Sequence, residues 1–210
     1  MNIKIGIDFD NTIVCYDNIF YSIALEKGYI KNDVPPQKKI IRDIIRKNFG
    51  EIIWQKLQLE IYGSKIIEAK PFVGVFDFIL DLLKLGFDVY IISHKSQYAS
   101  IDETKSKDLI KAARNWLHKY FFISLNANLF QENNVFFEPT RRMKIQRISS
   151  LGCNIFIDDL LETFLDINFP DNTQKILFSS SNFMPNNHRI TQCSNWEEIR
   201  MLIFKEYNVS

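Results

Sequence analysis

The sequence predicts an α/β fold built on a parallel sheet of about five strands with helices on both faces. Short apolar segments rich in β-branched residues alternate with longer segments whose apolar residues recur at helical spacing. Residues 3–10 form the first short segment, and its acidic end is typical of a buried strand with a charged carboxyl terminus. Residues 15–70 break the alternation because they contain helical patterns and no clear strand. We therefore expect a helical domain inserted after the first strand.

Four further segments complete the predicted sheet. They are residues 88–93, 134–137, 154–157 and 175–178. Helical patterns separate them, which favours a Rossmann-like arrangement of parallel strands. In such sheets, sites form beyond the carboxyl ends of the strands, so polar residues that follow different strands are expected to meet at one edge.

The helices of this core are predicted between the strands and after the last one. Their patterns cover about residues 73–85, 105–120, 141–151 and 196–207. The first of them suits a start at Pro71 and a stop at Gly86. Its expected buried face consists of Phe76, Ile79, Leu80 and Leu83. A loop rich in Ser, Asn and Pro is expected over residues 179–187.

The insertion is predicted to contain three helices, over about residues 17–27, 37–48 and 51–62. We expect residues 1–14 and 71–210 to form the α/β core and residues 15–70 to form the separate helical domain. The second predicted helix carries five bases and one acid between Lys38 and Lys47, a local net charge of +4. It is either a solvated basic face or a surface that faces an anionic substrate.

Composition excludes several classes of protein. The chain has 210 residues, of which 46% are hydrophobic and 24% charged, as in ordinary globular proteins. A formal net charge of +1 argues against binding nucleic acid through an overall positive field. The sequence contains no apolar run long enough for a membrane helix and no signal-peptide pattern. Three widely spaced cysteines, Cys15, Cys153 and Cys193, are expected to be reduced thiols of a cytoplasmic protein.

Two acidic pairs follow predicted strands. Asp8 and Asp10 end the first strand, and Asp158 and Asp159 follow the segment 154–157. Carboxylates concentrated at one edge of a sheet repel one another unless a cation neutralises them. Oxygen ligands without imidazole or thiolate partners suit a hard cation, so the sequence predicts a Mg²⁺ site.

The ordered motifs of the chain resemble those of the haloacid dehalogenase (HAD) superfamily of phosphotransferases and phosphatases. The matching motifs are, in chain order, Asp8-Phe9-Asp10-Asn11-Thr12, Ser93, Lys144 and Asp158-Asp159. Each motif is weak alone, but the ordered set is a strong signal. The resemblance implies the HAD-like fold with a helical first-type cap, formed here by residues 15–70.

The resemblance also assigns roles to the matching residues. It implies that Asp8 is the nucleophile that forms an aspartyl-phosphate and that Asp10 is the general acid and base. Phosphate binding falls to three residues: Thr12, Ser93 and Lys144. Asp8, the backbone carbonyl of Asp10, Asp158 and Asp159 are implied to hold Mg²⁺. Either Asp158 or Asp159 is the direct ligand, and Arg141 or Arg142 is an alternative substrate contact.

The expected function is Mg²⁺-dependent hydrolysis of a small phosphomonoester, such as a sugar phosphate or a nucleotide-like metabolite. The second acid, Asp10, disfavours a dehalogenase, because dehalogenases of this superfamily lack it. Two alternatives stay open: a non-catalytic phosphoester-binding or regulatory domain, and a nucleic-acid end phosphatase supported only by the basic helix. The sequence does not indicate an oligomeric state.

Overall fold

Parallel strands form the central sheet of the computed structural model, which describes residues 2–122, 130–180 and 189–208. The strands, in chain order, are β1 (Lys4–Ile7), β2 (Val14–Cys15), β3 (Lys70–Pro71), β4 (Asp88–His94), β5 (Val135–Glu138), β6 (Ile155–Asp158), β7 (Gln174–Phe178) and β8 (Ile190–Cys193). Six of them form one sheet in the order β5-β4-β1-β6-β7-β8, with parallel pairing throughout. A second sheet consists of β2 and β3. The predicted α/β class with a parallel sheet is confirmed.

The sheet has one strand more than predicted. The additional strand is β8, which pairs with β7 in parallel register, with Lys175 opposite Ile190 and Phe178 opposite Cys193. Its four residues, Ile-Thr-Gln-Cys, give too short an apolar pattern to be recognised from periodicity. Residues 181–187 of the predicted loop lie outside the described part of the chain.

The helices follow the predicted order with altered boundaries. They are α1 (Asp17–Glu26), α2 (Lys38–Phe49), α3 (Glu51–Tyr62), α4 (Val75–Lys84), α5 (Leu109–Leu117), α6 (Arg141–Leu151), α7 (Leu161–Phe164) and α8 (Trp196–Glu206). Short 3₁₀ turns occupy Ile66–Glu68 and Glu132–Asn134, and a π-helical turn occupies His118–Phe122. The predicted helix over 105–120 begins later because Asp108 is its N-cap, where the side chain accepts a hydrogen bond from the backbone of Lys111.

The predicted buried face of α4 is wrong. The structure buries Val75, Phe78, Ile79 and Leu82, so only Ile79 belongs to both sets. Seven of the ten residues of α4 are apolar, and they form one broad arc that contains two overlapping sets with helical spacing. Packing against the sheet selects one of them.

Two compact units divide the chain. The first consists of Met1–Ile13, Pro71–Lys95 and Phe122–Ser210, and the second consists of Val14–Lys70 and Ser96–Phe121. The segment 96–121, which the sequence prediction grouped with the core, thus belongs to the compact unit that contains α1, α2 and α3. The proposed role of residues 15–70 as a cap stays a prediction.

The first unit buries side chains on both faces of its sheet. On one face, Phe156 and Leu177 pack with Ile148 of α6 and Phe164 of α7. Successive residues of a strand point to opposite faces, so Phe178 lies on the other face. There its ring centroid is 5.5 Å from that of Trp196, at the start of α8. Helices therefore cover both faces, as predicted.

The second unit has its own aromatic core. The rings of Phe20 and Trp54 stack with centroids 4.9 Å apart, and Tyr16 meets Tyr62 edge-on at the same centroid distance. The indole N–H of Trp116 in α5 donates to the carbonyl of Ala69 at 2.8 Å. This bond ties the segment 96–121 to the end of the insertion. Within the described residues, no helix has the length and apolarity needed to cross a membrane.

Gly6 offers a test of packing on β1. A Cβ atom at this position would lie 2.6 Å from Cδ2 of Phe156, the residue paired with Gly6 on β6. We expect Gly6→Ala to lower the free energy of unfolding by about 1–3 kcal/mol, because the Phe156 ring must move within a packed core. Urea unfolding measures this loss.

Two further variants test whether the contact with Phe156 causes this loss of stability. Adding Phe156→Leu to Gly6→Ala should cost less than the sum of the single changes, because the shorter side chain removes the clash. Thr191→Ala, at an exposed position of β8, is the control and should change stability by about 0.5 kcal/mol or less. An unfolding midpoint for Gly6→Ala equal to that of the wild type would contradict the packing argument.

Candidate active site

The turn after β1 sets the position of the first acidic pair. β1 lies between β4 and β6, and the backbone N–H of Asp8 donates to the carbonyl of Ile157 at 2.9 Å. Asn11 then takes a left-handed backbone conformation with φ of 58°, which asparagine tolerates better than most residues. The chain turns sharply there, and Ile13 N–H reaches the carbonyl of Phe9 at 3.0 Å. Asp8 and Asp10 are thereby fixed at the carboxyl edge of the sheet.

A buried lysine joins both acidic pairs. The side chain of Lys144 is only 2% exposed, and its Nζ lies 2.6 Å from Oδ1 of Asp8 and 2.7 Å from Oδ2 of Asp158. Lys144 is on the first turn of α6, whose N-cap Thr140 accepts a hydrogen bond from Met143 N–H at 3.1 Å. Because β1 and β6 are neighbours, Asp8 and Asp158 leave the sheet side by side.

The second acidic pair completes an oxygen cluster. Carboxylate oxygens of Asp8, Asp158 and Asp159 lie within 4.8 Å of one another, and no other such group of acidic, histidine or cysteine side chains occurs among the described residues. The other oxygen of Asp158 accepts a hydrogen bond from Leu160 N–H at 3.0 Å, which orients its carboxylate. Asp8, Asp158 and Asp159 are therefore the side chains that could hold a metal ion.

Asp10 has a different partner. Its Oδ2 lies 2.7 Å from Nζ of Lys95, whose side chain is 4% exposed, compared with 22% for Asp10. Lys95 follows the end of β4, and its backbone N–H donates to the carbonyl of Glu138 at 2.8 Å. The same ammonium lies 5.7 Å from the ring centroid of Phe9. The carboxylate of Asp10 thus has its own buried counter-ion and does not belong to the oxygen cluster of Asp8, Asp158 and Asp159.

The charges of the site favour a divalent cation. Asp8, Asp10, Asp158 and Asp159 carry four negative charges when ionised, and the two lysines supply two positive ones. The remaining charge of −2 equals the charge of Mg²⁺ in magnitude. All three clustered side chains offer hard oxygen donors, which Mg²⁺ and Ca²⁺ prefer. The residues present therefore fit a Mg²⁺ ion.

The pKa values of Asp8 and Lys144 reflect both their burial and the charges around them. Burial, opposed by Lys144 and assisted by Asp158, raises the pKa of Asp8 to about 7. Burial alone would lower the pKa of Lys144, but the carboxylates of Asp158 and Asp8 raise it above its usual value. The lysine therefore keeps its proton, whereas burial favours the protonated form of Asp8 below about pH 7. A bound divalent cation would oppose that protonation.

The other predicted site residues differ in their burial. Ser93 is buried near the carboxyl end of β4, beside β1. Thr12 is buried, its carbonyl accepts from the indole N–H of Trp196 at 3.1 Å, and its hydroxyl oxygen has no hydrogen-bond partner among the described residues. Arg141 and Arg142 are exposed on the first turn of α6.

The structure thus brings Asp8, Lys144, Asp158 and Asp159 together, and the roles assigned to them stay predictions. Lys95 was missed by the sequence analysis. The only available signal was its position two residues after Ser93, at the end of a predicted strand. Lysine is common at exposed strand ends, so its burial against Asp10 could be recognised only from the structure.

Solved structures of HAD-superfamily hydrolases resemble this chain over nearly their whole length. One from Ehrlichia chaffeensis has 15% identity and a TM-score of 0.54, with 99% of this chain and 100% of the other covered. A HAD hydrolase from Bacillus subtilis, bound to magnesium, has 14% identity and a TM-score of 0.54, with coverage of 96% and 98%. One from Deinococcus radiodurans, with bound phosphate and sodium, has 12% identity and a TM-score of 0.53, with coverage of 97% and 96%.

No family model matches the chain, and no curated protein matches it in sequence. At the identities of the solved structures, the likeness defines the fold. The fold of this chain is that of the HAD-superfamily hydrolases, and the predicted resemblance is confirmed at this level. The type of cap stays a prediction.

The paired lysine gives a direct stability test. We expect Lys144→Met to lower the free energy of unfolding by about 3–5 kcal/mol in the absence of metal, because it leaves two carboxylates buried without their shared ammonium. Lys175→Met is the matched control, since Lys175 donates to the carbonyl of Phe164 and forms no buried pair with two acids. Urea unfolding should show a much smaller loss for the control. Equal losses would contradict the electrostatic role of Lys144.

Asp8 predicts a pH dependence of stability in the metal-free protein. Its folded pKa lies above its unfolded value, so the folded state binds more protons and loses stability as pH rises from about 4 to about 7. His94 acts in the opposite direction, because burial lowers its pKa. The comparison is therefore wild type against Asp8→Asn, unfolded by urea with a chelator present. The stability of the wild type relative to the variant should fall over this range, and a constant difference would contradict the raised pKa.

Proposed function

We propose that the chain is a Mg²⁺-dependent phosphatase that hydrolyses a small phosphomonoester through an aspartyl-phosphate on Asp8. The observation that carries the proposal is the buried contact of Lys144 with Asp8 and Asp158, beside the carboxylates of Asp159 and Asp10. A carboxylate nucleophile and a phosphate dianion repel each other, so their reaction needs nearby cations that reduce this repulsion. This site combines an acidic nucleophile, a lysine in contact with it and an acidic cluster suited to a metal ion.

In the first step, an Asp8 carboxylate oxygen attacks phosphorus and forms an O–P bond. The bond from phosphorus to the substrate's bridging oxygen breaks, and its electron pair stays on that oxygen. Asp10, in its carboxylic acid form, gives the oxygen a proton, and the product leaves as an alcohol. Lys144 contacts the carboxylate of Asp8 and balances charge while that carboxylate becomes an acyl phosphate, a mixed anhydride.

In the second step, Asp10 accepts a proton from a water molecule whose oxygen attacks phosphorus. The O–P bond to Asp8 breaks, and its electron pair restores the carboxylate. Inorganic phosphate leaves, and Asp10 is again an acid. Mg²⁺, when bound, would offset negative charge at the phosphoryl group, and Asp8, Asp158, Asp159 and the carbonyl of Asp10 would hold it. Ser93 and Thr12 are proposed to donate hydrogen bonds to phosphoryl oxygens.

Two structural neighbours support this chemistry. The Bacillus subtilis protein was solved with magnesium and the Deinococcus radiodurans protein with phosphate. Another neighbour, 11% identical with a TM-score of 0.53, is described as a dehalogenase. Asp10 favours phosphate chemistry over C–halogen hydrolysis, because a general acid is useful when the leaving group is an alkoxide and not when it is a halide.

The alternatives receive less support. A non-catalytic binding domain would not need both Asp8 and Asp10. A nucleic-acid end phosphatase depended on the basic helix α2, where Arg42 pairs with Asp43 and Arg46 with Glu51 at 2.6 Å. Part of that charge is therefore neutralised within the same unit. We also propose a cytoplasmic location, because the three cysteines are free thiols, which suits a reducing compartment.

Hydrolysis of p-nitrophenyl phosphate tests the proposal. With Mg²⁺, the wild type should release nitrophenol, and Asp8→Asn should lower kcat at least about 1,000-fold because the amide is a poor nucleophile. Removal of Mg²⁺ with a chelator should abolish turnover, and re-addition should restore it.

The control is Asp166→Asn, a half-buried acid outside the cluster whose carboxylate accepts hydrogen bonds from Asn168, and it should keep wild-type activity. Acid-quenched enzyme should carry phosphate on Asp8 during turnover, detected by mass spectrometry. Equal rates for wild type and Asp8→Asn would sink the proposed function. A panel of phosphorylated metabolites would then identify the substrate.

A further inference from the structure

We propose that Lys95 is a positioning residue that holds the carboxylate of Asp10 for proton transfer to the leaving group, an inference that rests on the proposed function. The resemblance on which the other roles depend does not include Lys95. The observation that carries it is the 2.7 Å contact between Nζ of Lys95 and Oδ2 of Asp10.

Burial of the Lys95 ammonium costs too much free energy for its contact with Asp10 to be incidental. An ammonium that is 4% exposed has lost most of its hydration, and it must be compensated by charged or polar partners. A buried ion pair contributes little net stability compared with apolar packing, so stability alone does not account for it. The backbone of Lys95 is also fixed, since its N–H donates to the Glu138 carbonyl at 2.8 Å. The side chain therefore starts from a rigid point at the end of β4.

The contact with Lys95 covers only part of the Asp10 side chain. Asp10 retains 22% of its side-chain exposure while Oδ2 is bound to Lys95. A general acid must reach the leaving oxygen with a defined geometry, and an unrestrained carboxyl group rotates about two side-chain torsions. The contact with Lys95 restricts those torsions, and because the ammonium donates to Oδ2, the acid form carries its proton on Oδ1.

The two buried lysines divide the acids between them. Lys144 contacts Asp8 and Asp158, which belong to the metal-fitting cluster, whereas Lys95 contacts Asp10, whose side chain does not belong to it. Without Lys95, the Asp10 carboxylate would be only two residues from Asp8 and could turn toward Lys144 or a bound cation. Lys95 thus holds the carboxyl group of Asp10 for proton transfer and away from the side chains that would bind a metal ion.

The dependence on the leaving group distinguishes this role from a purely structural one. Phenyl phosphate and p-nitrophenyl phosphate are similar in size, but phenolate is the poorer leaving group and needs protonation more. We expect Lys95→Met to lower kcat/KM for phenyl phosphate about 100-fold and that for p-nitrophenyl phosphate about 10-fold or less. The quantity kcat/KM covers the steps through release of the alcohol, so later hydrolysis of the aspartyl-phosphate does not obscure the comparison.

Four more variants complete the comparison. Asp10→Asn should show the same preference for the better leaving group, and adding Lys95→Met to it should have little further effect, because both changes remove one function. Lys95→Arg should recover part of the activity toward phenyl phosphate. Arg147→Met, which removes the 2.8 Å pair with Glu138 at the neighbouring strand end, should leave the ratio between the two substrates unchanged.

A measurement without turnover tests the contact itself. The side-chain ammonium resonance of Lys95, assigned by its absence from Lys95→Arg, should be protected from exchange with water and should shift in Asp10→Asn. An unshifted resonance, or equal losses on both substrates in Lys95→Met, would overturn the role of Lys95 while Asp8-dependent hydrolysis stands. A wild type inactive on both phosphates would overturn the proposed function and, with it, this inference.

Discussion

The buried ammonium of Lys144 between Asp8 and Asp158 is the interaction on which the rest of the site depends. Burial disfavours an unpaired charge at that depth, so the ammonium and the two carboxylates stabilise one another. The three groups come from β1, α6 and β6, so the contact requires the correct order of strands and the correct depth of a helix. The fold and the chemistry of the site therefore impose the same geometric constraint.

The distribution of charge explains why two lysines are needed. A single ammonium shared by four acids would leave a large excess of negative charge in a poorly solvated place, which burial disfavours. Lys95 neutralises Asp10, and Lys144 serves Asp8 and Asp158. The remaining charge matches a divalent cation, and burial is the main cause of the raised pKa of Asp8. A cation bound there would stabilise the ionised carboxylate of Asp8.

The two buried lysines also separate the side chains of Asp8 and Asp10. These acids are only two residues apart, yet Lys144 contacts Asp8 and Lys95 contacts Asp10. Asp8 joins the oxygen cluster, and the partly exposed side chain of Asp10 does not belong to it. The roles proposed for them, nucleophile and proton donor, require such separate positions at one phosphoryl group.

The sequence by itself determined the α/β class, the order of most elements and the acids of the candidate site, because periodicity and strand-end acids are local features. It could not determine which residues of α4 are buried, since the broad apolar arc of that helix contains two overlapping sets with helical spacing and packing against the sheet selects one. It also missed β8, whose four residues become a strand only by pairing with β7. The partners of Lys95 and Lys144 were decided by tertiary structure alone. Their contacts join residues far apart in the chain, and each lysine becomes the counter-ion of specific carboxylates only when the folded chain buries them together.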